Sequence, residues 1–233
     1  MNPHQPRDTD NDGPRLTRRE VIAGVLSWGC GLPALARTGH AFRAGEARVV
    51  LTTALGAIVV AADLTHAPIS AGDFLKYVDR GLFNGAAFYR TVRPDNDTNP
   101  VKIDVIQGGL MDEKKLLPPI RHEPTNRTGL HHRDGTISIA RDAPGTGTAG
   151  AFFICIGNQP ELDFGGRRNP DGQGFAAFGQ VVRGMDVVRA IWKSKTGAPG
   201  GEWGTQGLMP PIEIVSAKRI GKAAAGARAR LSR

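Results

Sequence analysis

Short runs of β-branched and other apolar residues recur from about residue 46 onward and predict a protein made mainly of β-strands. The first two runs, residues 48–53 and 57–62, are separated by Leu55-Gly56 and predict a β-hairpin. The cleanest alternation of apolar and polar positions lies in residues 136–140. Further strands are predicted over residues 88–92, 103–106, 152–156, 176–181 and 211–217.

Two segments have the apolar spacing of an amphipathic helix instead. The first begins at Ala67-Pro68 and ends at Gly81, and the second covers residues 184–192. Their apolar faces are formed by Phe74, Leu75, Tyr77 and Val78 in the first, and by Met185, Val188, Ile191 and Trp192 in the second. Because strands dominate and the helices lie far apart, the order predicts a closed barrel plugged by two helices, without exposed strand edges.

The first 45 residues are predicted to be a disordered N-terminus with an export signal. Arg18-Arg19 precede a mostly apolar stretch that runs to Ala36 and resembles a bacterial twin-arginine signal. This stretch is shorter than the roughly 20 apolar residues of a membrane span, and small residues at 34–36 and 39–41 offer cleavage sites. We therefore expect a periplasmic or otherwise exported protein without stable membrane association. An uncleaved leader acting as an anchor and lipid attachment at Cys30 are the alternatives.

The net charge of +8 arises largely from the C-terminus. No acidic residue follows Glu213, whereas the same segment contains the cations Lys218, Arg219, Lys222, Arg228, Arg230 and Arg233. We expect a folded domain over residues 46–220 and a disordered basic tail over 221–233, which cannot form a packed core. No helix-turn-helix, RNA-binding aromatic motif or zinc-finger spacing accompanies the charge, so no nucleic-acid partner is expected.

The chain shows no pattern for disulfide, metal or phosphate chemistry. Removal of the leader would take Cys30 away and leave Cys155, which follows an apolar run and is expected to be a buried, inert thiol. His122, His131 and His132 lie in a segment with the pattern of a polar loop, and their spacing does not indicate a metal site. Residues 145–150 are rich in Gly and Thr but lack the Gly-Lys-Ser/Thr ending of a phosphate loop. We expect no metal and no cofactor.

The candidate chemistry lies in three motifs, residues 88–90, 105–109 and 151–154. They place a guanidinium, an amide and a phenyl group on predicted strands, and they supply no nucleophile and no acid/base pair. A fixed hydrogen-bond donor beside an apolar pocket suits few reactions, and rotation about an X–Pro peptide bond is one of them. Phe152 and Phe153 are on opposite faces of their strand, so one of them is expected in the core.

Six further motifs occur in register along the chain, at residues 87–90, 106–109, 135–141, 152–154, 162–163 and 178–181, together with Phe74-Leu75 in the first helix and residues 184–188 in the second. They stand in the order found in the cyclophilins, a family that this chain resembles over roughly residues 48–220. The resemblance implies an eight-stranded antiparallel barrel capped by two α-helices. It also implies peptidyl-prolyl cis/trans isomerase activity on proline-containing polypeptides, and we expect a monomer.

The resemblance also implies roles for individual residues. Arg90 matches the catalytic arginine of the family, and Gln107 matches the glutamine that binds the substrate backbone. Phe153 matches the floor of the proline pocket, with Val105 and Leu162 as further walls. Val105 stands where the family usually has methionine. Residues 145–150 are expected to line the groove through which the peptide passes.

The chain departs from the family pattern near this groove. Ala151, in place of a glutamine, and Phe175, in place of a histidine, are still expected to be among the residues that bind the substrate. Glu161 replaces an aromatic residue, and the loss of the usual tryptophan makes tight cyclosporin binding unexpected. An insertion at residues 164–174 lies beside the expected groove. Three hypotheses follow: an exported isomerase that assists protein folding; a cyclophilin-like peptide-binding module with weak or no turnover; and an assembly partner whose groove is filled by the insertion.

Overall fold

The computed structural model describes residues 43–197 and 203–221. Within these ranges eight strands form a closed antiparallel barrel, which confirms the predicted fold class. The strands are β1 (Glu46–Thr53), β2 (Gly56–Asp63), β3 (Ala86–Val92), β4 (Val105–Gly109), β5 (Thr136–Ile139), β6 (Ala151–Cys155), β7 (Ala176–Arg183) and β8 (Gly207–Ile220). Their order around the barrel is β1-β2-β7-β5-β6-β4-β3-β8. The last strand pairs with both β1 and β3 and thereby closes the sheet.

The two predicted helices pack onto the barrel core. They are α1 (Pro68–Asp79), which begins with proline in its first turn, and α3 (Met185–Trp192). A further single turn, α2 (Thr125–Thr128), lies in a segment where the sequence predicted no helix. This turn ends at Gly129, whose φ of 70° is left-handed. Four residues are too few to produce a helical pattern of apolar positions, which explains why the sequence did not reveal it.

The barrel interior is filled by aromatic and aliphatic side chains from the strands and from the two longer helices. Phe74 of α1 lies 6.0 Å from Phe152 of β6 and 5.2 Å from Phe178 of β7, measured between ring centroids. Val188 and Ile191 of α3 are fully buried in the same core. Burying each such side chain stabilises the fold by about 1.5–3 kcal/mol. Phe152 is therefore the core member of the Phe152-Phe153 pair.

Some predicted boundaries differ from the structure. Strand β4 begins at Val105, two residues later than predicted, and β8 extends further at both ends than residues 211–217. Cys155 is buried as expected, and burial raises the pKa of its thiol well above the ordinary value. Among the described residues no helix is long and apolar enough to span a bilayer. The predicted leader, Cys30 and most of the basic tail lie outside the described residues.

Candidate active site

Three of the predicted site residues form a row across neighbouring strands. Arg90 on β3 pairs with Gln107 on β4, and Gln107 pairs with Phe153 on β6. Directly paired residues in antiparallel strands place their side chains on the same face of the sheet. The guanidinium, the amide and the phenyl ring therefore share one face of the barrel wall, opposite the face that Phe152 presents to the core.

A β-bulge in β3 places Arg90 on this face. Phe88 pairs with Gly108 and Arg90 pairs with Gln107, so Tyr89 is an extra residue in the ladder to β4. The pairing of β3 with β8 shifts at the same position. In a regular strand Phe88 and Arg90 would point to the same face, and Phe88 is fully buried in the core. The bulge turns Arg90 away from the core, a common use of bulges beside functional sites.

The row lies in a cavity of about 760 Å³. All seven of the predicted site residues line this cavity: Arg90, Val105, Gln107, Ala151, Phe153, Leu162 and Phe175. The groove loop predicted over residues 145–150 contributes Thr146, Gly147 and Thr148 to the lining. A small apolar cluster outside the main core lies at its base and consists of Val92, Ile103, Val105, Phe153, Cys155 and Leu162. The cavity thus combines an apolar base with a cationic wall.

The ring of Phe153 is packed on two sides by aromatic groups. Phe175 meets it edge-on, with ring centroids 5.2 Å apart and planes at 88°. His132 stacks on it nearly parallel, with centroids 5.8 Å apart. Such contacts restrict the tilt of a ring and add about 0.5–1.5 kcal/mol per aromatic pair. The Phe175 that replaces the family's histidine therefore supports the floor of the cavity.

His132 is held beneath this floor by hydrogen bonds at both ring nitrogens. Its Nδ1 lies 2.6 Å from Asp163 Oδ1, and its Nε2 lies 3.0 Å from Ser138 Oγ. Burial lowers the pKa of His132 despite the opposing effect of Asp163. Burial alone would raise the pKa of Asp163, but hydrogen bonds from His132 and His131 outweigh it and lower that pKa. The geometry therefore assigns a neutral imidazole that donates to Asp163 and accepts from Ser138.

This Ser-His-Asp arrangement has the order of a hydrolase triad, but it cannot act as one. Ser138 is completely buried, and His132 is 1% exposed. A nucleophile has to reach a substrate carbonyl, and here the Phe153 ring lies between the imidazole and the cavity. The three residues instead form a buried network that supports the floor.

Arg90 is held by hydrogen bonds from two directions. Its Nη1 donates to Gln107 Oε1 at 2.9 Å, and its Nε and Nη2 donate to Gln206 Oε1 at 2.9 and 2.6 Å. The indole ring of Trp203 lies 5.2 Å from its Cζ atom. Burial lowers the pKa of Arg90, and the nearby charge of Arg168 lowers it further. Because a guanidinium starts from a very high pKa, it remains a cation in this setting.

The insertion at residues 164–174 forms a wall of the cavity and does not fill it. Arg168 and Asn169 line the cavity. Arg168 is anchored to Asp97 with a 2.6 Å ion pair in which the side chains are 11% and 2% exposed. Arg141 holds the C-terminal part of the insertion, because its Nη1 and Nη2 donate to the two carboxylate oxygens of Asp171 at 2.7 and 3.0 Å. The hypothesis that the insertion occupies the groove is therefore wrong, because the space beside Arg90 is open.

Several residues of the site were not identified as such from the sequence. Trp203 and Gln206 reach Arg90 from the far end of the chain, and no local motif marks them. The sequence marks His132 only as a candidate metal ligand. Among the described residues no group of three His, Cys, Asp or Glu side chains is placed to hold a metal ion. Arg141 lies in the 135–141 motif and Arg168 in the 164–174 insertion, but their ion pairs depend on tertiary contacts.

The closed barrel and this cavity define the class of protein. The family model described as cyclophilin type peptidyl-prolyl cis-trans isomerase/CLD matches residues 48–219. Peptidyl-prolyl cis-trans isomerase A of Dickeya dadantii is 34% identical over 206 residues, covering 87% of this chain and 96% of that protein. Peptidyl-prolyl cis-trans isomerase B of Escherichia coli is 34% identical over 157 residues, covering 65% and 88%.

A solved structure shows the same fold at lower sequence identity. The cyclophilin type isomerase of Cryptosporidium parvum superposes with a TM-score of 0.59 at 17% identity, covering 76% of this chain and 99% of that one. The family-model match and the 34% identity to the Dickeya dadantii protein show that the chain belongs to the cyclophilin family, and it is a peptidyl-prolyl cis-trans isomerase.

Proposed function

We propose that Arg90 is the catalytic residue of this isomerase and that the substrates are X–Pro bonds in unfolded or flexible polypeptide, so that the protein assists folding. The supporting observation is the paired row in which the guanidinium of Arg90 and the ring of Phe153 line one open cavity. A Cryptosporidium parvum cyclophilin has been crystallised in the presence of the dipeptide Ala-Pro. A groove open to solvent suits an extended chain better than a folded surface.

The chemistry follows from the nature of the X–Pro bond. Rotation has a barrier of about 20 kcal/mol, because the partial double bond between carbon and nitrogen must be lost. In the twisted transition state the prolyl nitrogen becomes pyramidal and gains a basic lone pair. A donor aimed at this nitrogen binds the twisted form more tightly than either planar form, which is the condition for rate acceleration.

Different residues of the cavity would bind different parts of the substrate. Phe153, Val105 and Leu162 would hold the pyrrolidine ring, while Gln107 would bind the neighbouring backbone. The Gln107 amide is oriented for this role, since its Nε2 donates to Tyr89 Oη at 3.1 Å and its Oε1 accepts from Arg90. Arg90 needs no proton transfer to act, and its planar head keeps its charge. Ala151 contributes a methyl group to the cavity lining, and Phe175 contributes an apolar ring.

An isomerase assay on a short X–Pro peptide tests these roles. We expect Arg90→Ala to lower kcat by about 100- to 1000-fold, the effect of removing one transition-state donor, with little change in peptide affinity. Phe153→Ala should instead weaken peptide binding. The matched control is Arg183→Ala, which removes an exposed arginine at the end of β7 and should leave the rate unchanged. Peptide binding without rate enhancement by the wild-type protein would support the peptide-binding module instead.

We also propose that the protein is exported and acts outside the cytoplasm. The support is the Arg18-Arg19 pair followed by an apolar stretch too short for a typical membrane span. Measuring the mass of the protein isolated from its native cell tests this. Cleavage within residues 34–41 supports the proposal, and a full-length mass in the membrane fraction would support an anchored form.

A further inference from the structure

Arg90 is enclosed by a segment that is distant in sequence. Residues 203–206 include the short 3-10 helix Gly204–Gln206, which directly precedes β8. Gln206 Oε1 accepts two hydrogen bonds from the guanidinium, and the Trp203 ring covers one face of it. Trp203 in turn stacks on Tyr89, the bulge residue, at 5.3 Å. The guanidinium therefore contacts both an amide acceptor and an aromatic face from this one segment.

The Gln206 side chain is itself fixed in orientation. Its Nε2 donates to the backbone oxygen of Asn96 at 3.1 Å. The Asn96 side chain donates to the backbone oxygens of Thr91 and Thr205, which ties the loop after β3 to the 203–206 segment. Because the amide nitrogen of Gln206 is engaged in this way, its oxygen has to face Arg90.

The hydrogen bonds leave a defined part of the guanidinium available. An arginine head has five N–H groups. Three of them donate to Gln206 and Gln107, which leaves two, one on each terminal nitrogen. A neutral amide oxygen can orient the head without cancelling its charge, whereas a carboxylate in the same place would compete for it. The remaining N–H groups are those that could be directed at a substrate nitrogen.

We infer that Gln206 is a positioning residue that holds the Arg90 guanidinium in its productive orientation, with Trp203 as the platform beneath it. This inference rests on the proposed catalytic role of Arg90. Without the Gln206 acceptor the flexible arginine stem can rotate, and a misplacement of about 1 Å can cost about 100-fold in rate. Gln206 does not need to touch the substrate for this effect.

The test is a double-mutant cycle in the full-length protein. We expect Gln206→Ala and Gln206→Met to lower kcat by about 10- to 100-fold with KM for an X–Pro peptide nearly unchanged. The Met variant keeps the length of the side chain and removes the acceptor. In an Arg90→Lys background the same changes should lower kcat by less than about threefold, because a lysine cannot form the two-pronged contact. Gln180→Ala removes a hydrogen-bonded glutamine on β7 and serves as the control.

A readout independent of turnover is the Nε–H signal of Arg90 in ¹H–¹⁵N spectra. We expect slow solvent exchange of this proton in the wild type and faster exchange in both Gln206 variants. Wild-type kcat in the Gln206 variants, or an equal loss of kcat in both backgrounds, overturns the inference while leaving the role of Arg90 intact. An Arg90→Lys protein with full activity overturns both, because the guanidinium would then not be required.

Discussion

Arg168→Met is expected to destabilise the protein far more than the same change at the neighbouring Arg167. Arg168 donates to Asp97 at 2.6 Å and to the backbone oxygen of Val101 at 2.6 Å. Its removal leaves a carboxylate that is 2% exposed with only the Asn99 backbone N–H as a described donor. Removing one partner of a buried ion pair costs about 3–5 kcal/mol in the free energy of unfolding. For a domain of this size that corresponds to roughly 6–20 °C in Tm.

Arg167 provides the matched control for this change. Its ion pair with Glu161 is similar in length, at 2.9 Å, but the side chains are 77% and 32% exposed. Water and salt screen such an exposed pair, so Arg167→Met should shift the urea midpoint little. The double variant Asp97→Asn/Arg168→Met should regain more than half of the lost stability, since no charge remains unpaired. Equal losses for the two arginine variants, or a double variant no more stable than Arg168→Met, would refute the reasoning.

Two further predictions concern stability. Gly72→Ala in α1 should stabilise the protein by about 0.5–1 kcal/mol, because a Cβ at this position meets open space. Gly109→Ala should destabilise it by about 2–4 kcal/mol, because the φ of Gly109 is 139° and the new Cβ would overlap the backbone oxygen of Gly150. Urea denaturation of both variants tests these two predictions, and equal effects on stability would contradict them. Since the pKa of His132 is lowered in the folded state, the unfolded chain takes up the proton first as pH falls below about 6.5. Stability should then fall by up to about 1.4 kcal/mol per pH unit. His132→Gln should make the loss of stability between pH 7.5 and 5.5 less steep, and the part that remains is expected from His122, whose pKa burial also lowers. An unchanged slope would argue against a neutral, buried His132.

The sequence predicted the barrel well because its strands are short, apolar and separated by turn residues. The apolar face of α3 was also predicted correctly, since Val188 and Ile191 are fully buried and Met185 and Trp192 pack against the core. The pattern of apolar and polar positions did not predict the structure correctly where an element consists of very few residues. Helix α2 is only four residues long. The predicted strand at residue 103 begins too early, because Ile103 is buried in the small apolar cluster at the base of the cavity without belonging to a strand.

Some residues of the site could be predicted from the sequence, and others could not. Arg90, Gln107 and Phe153 lie on adjacent strands within motifs, so the family resemblance located them and the structure brings them together. Trp203 and Gln206 could not be found in this manner, because 116 positions separate Gln206 from Arg90 and their contact arises only when β8 closes the barrel. The support of Phe153 by His132 likewise depends on the stacking of distant segments.

The extra residue at Tyr89 has a consequence for how this enzyme can change over time. Loss of this one position would leave a regular ladder with the arginine still opposite Gln107, so the guanidinium would stay on the cavity face. A register slip that paired Tyr89 with Gln107 would instead place Arg90 opposite Ile106 and turn its charged head toward the apolar interior. Evolution can therefore shorten this part of strand three without reversing the wall, but it cannot bring all of its residues into the ladder.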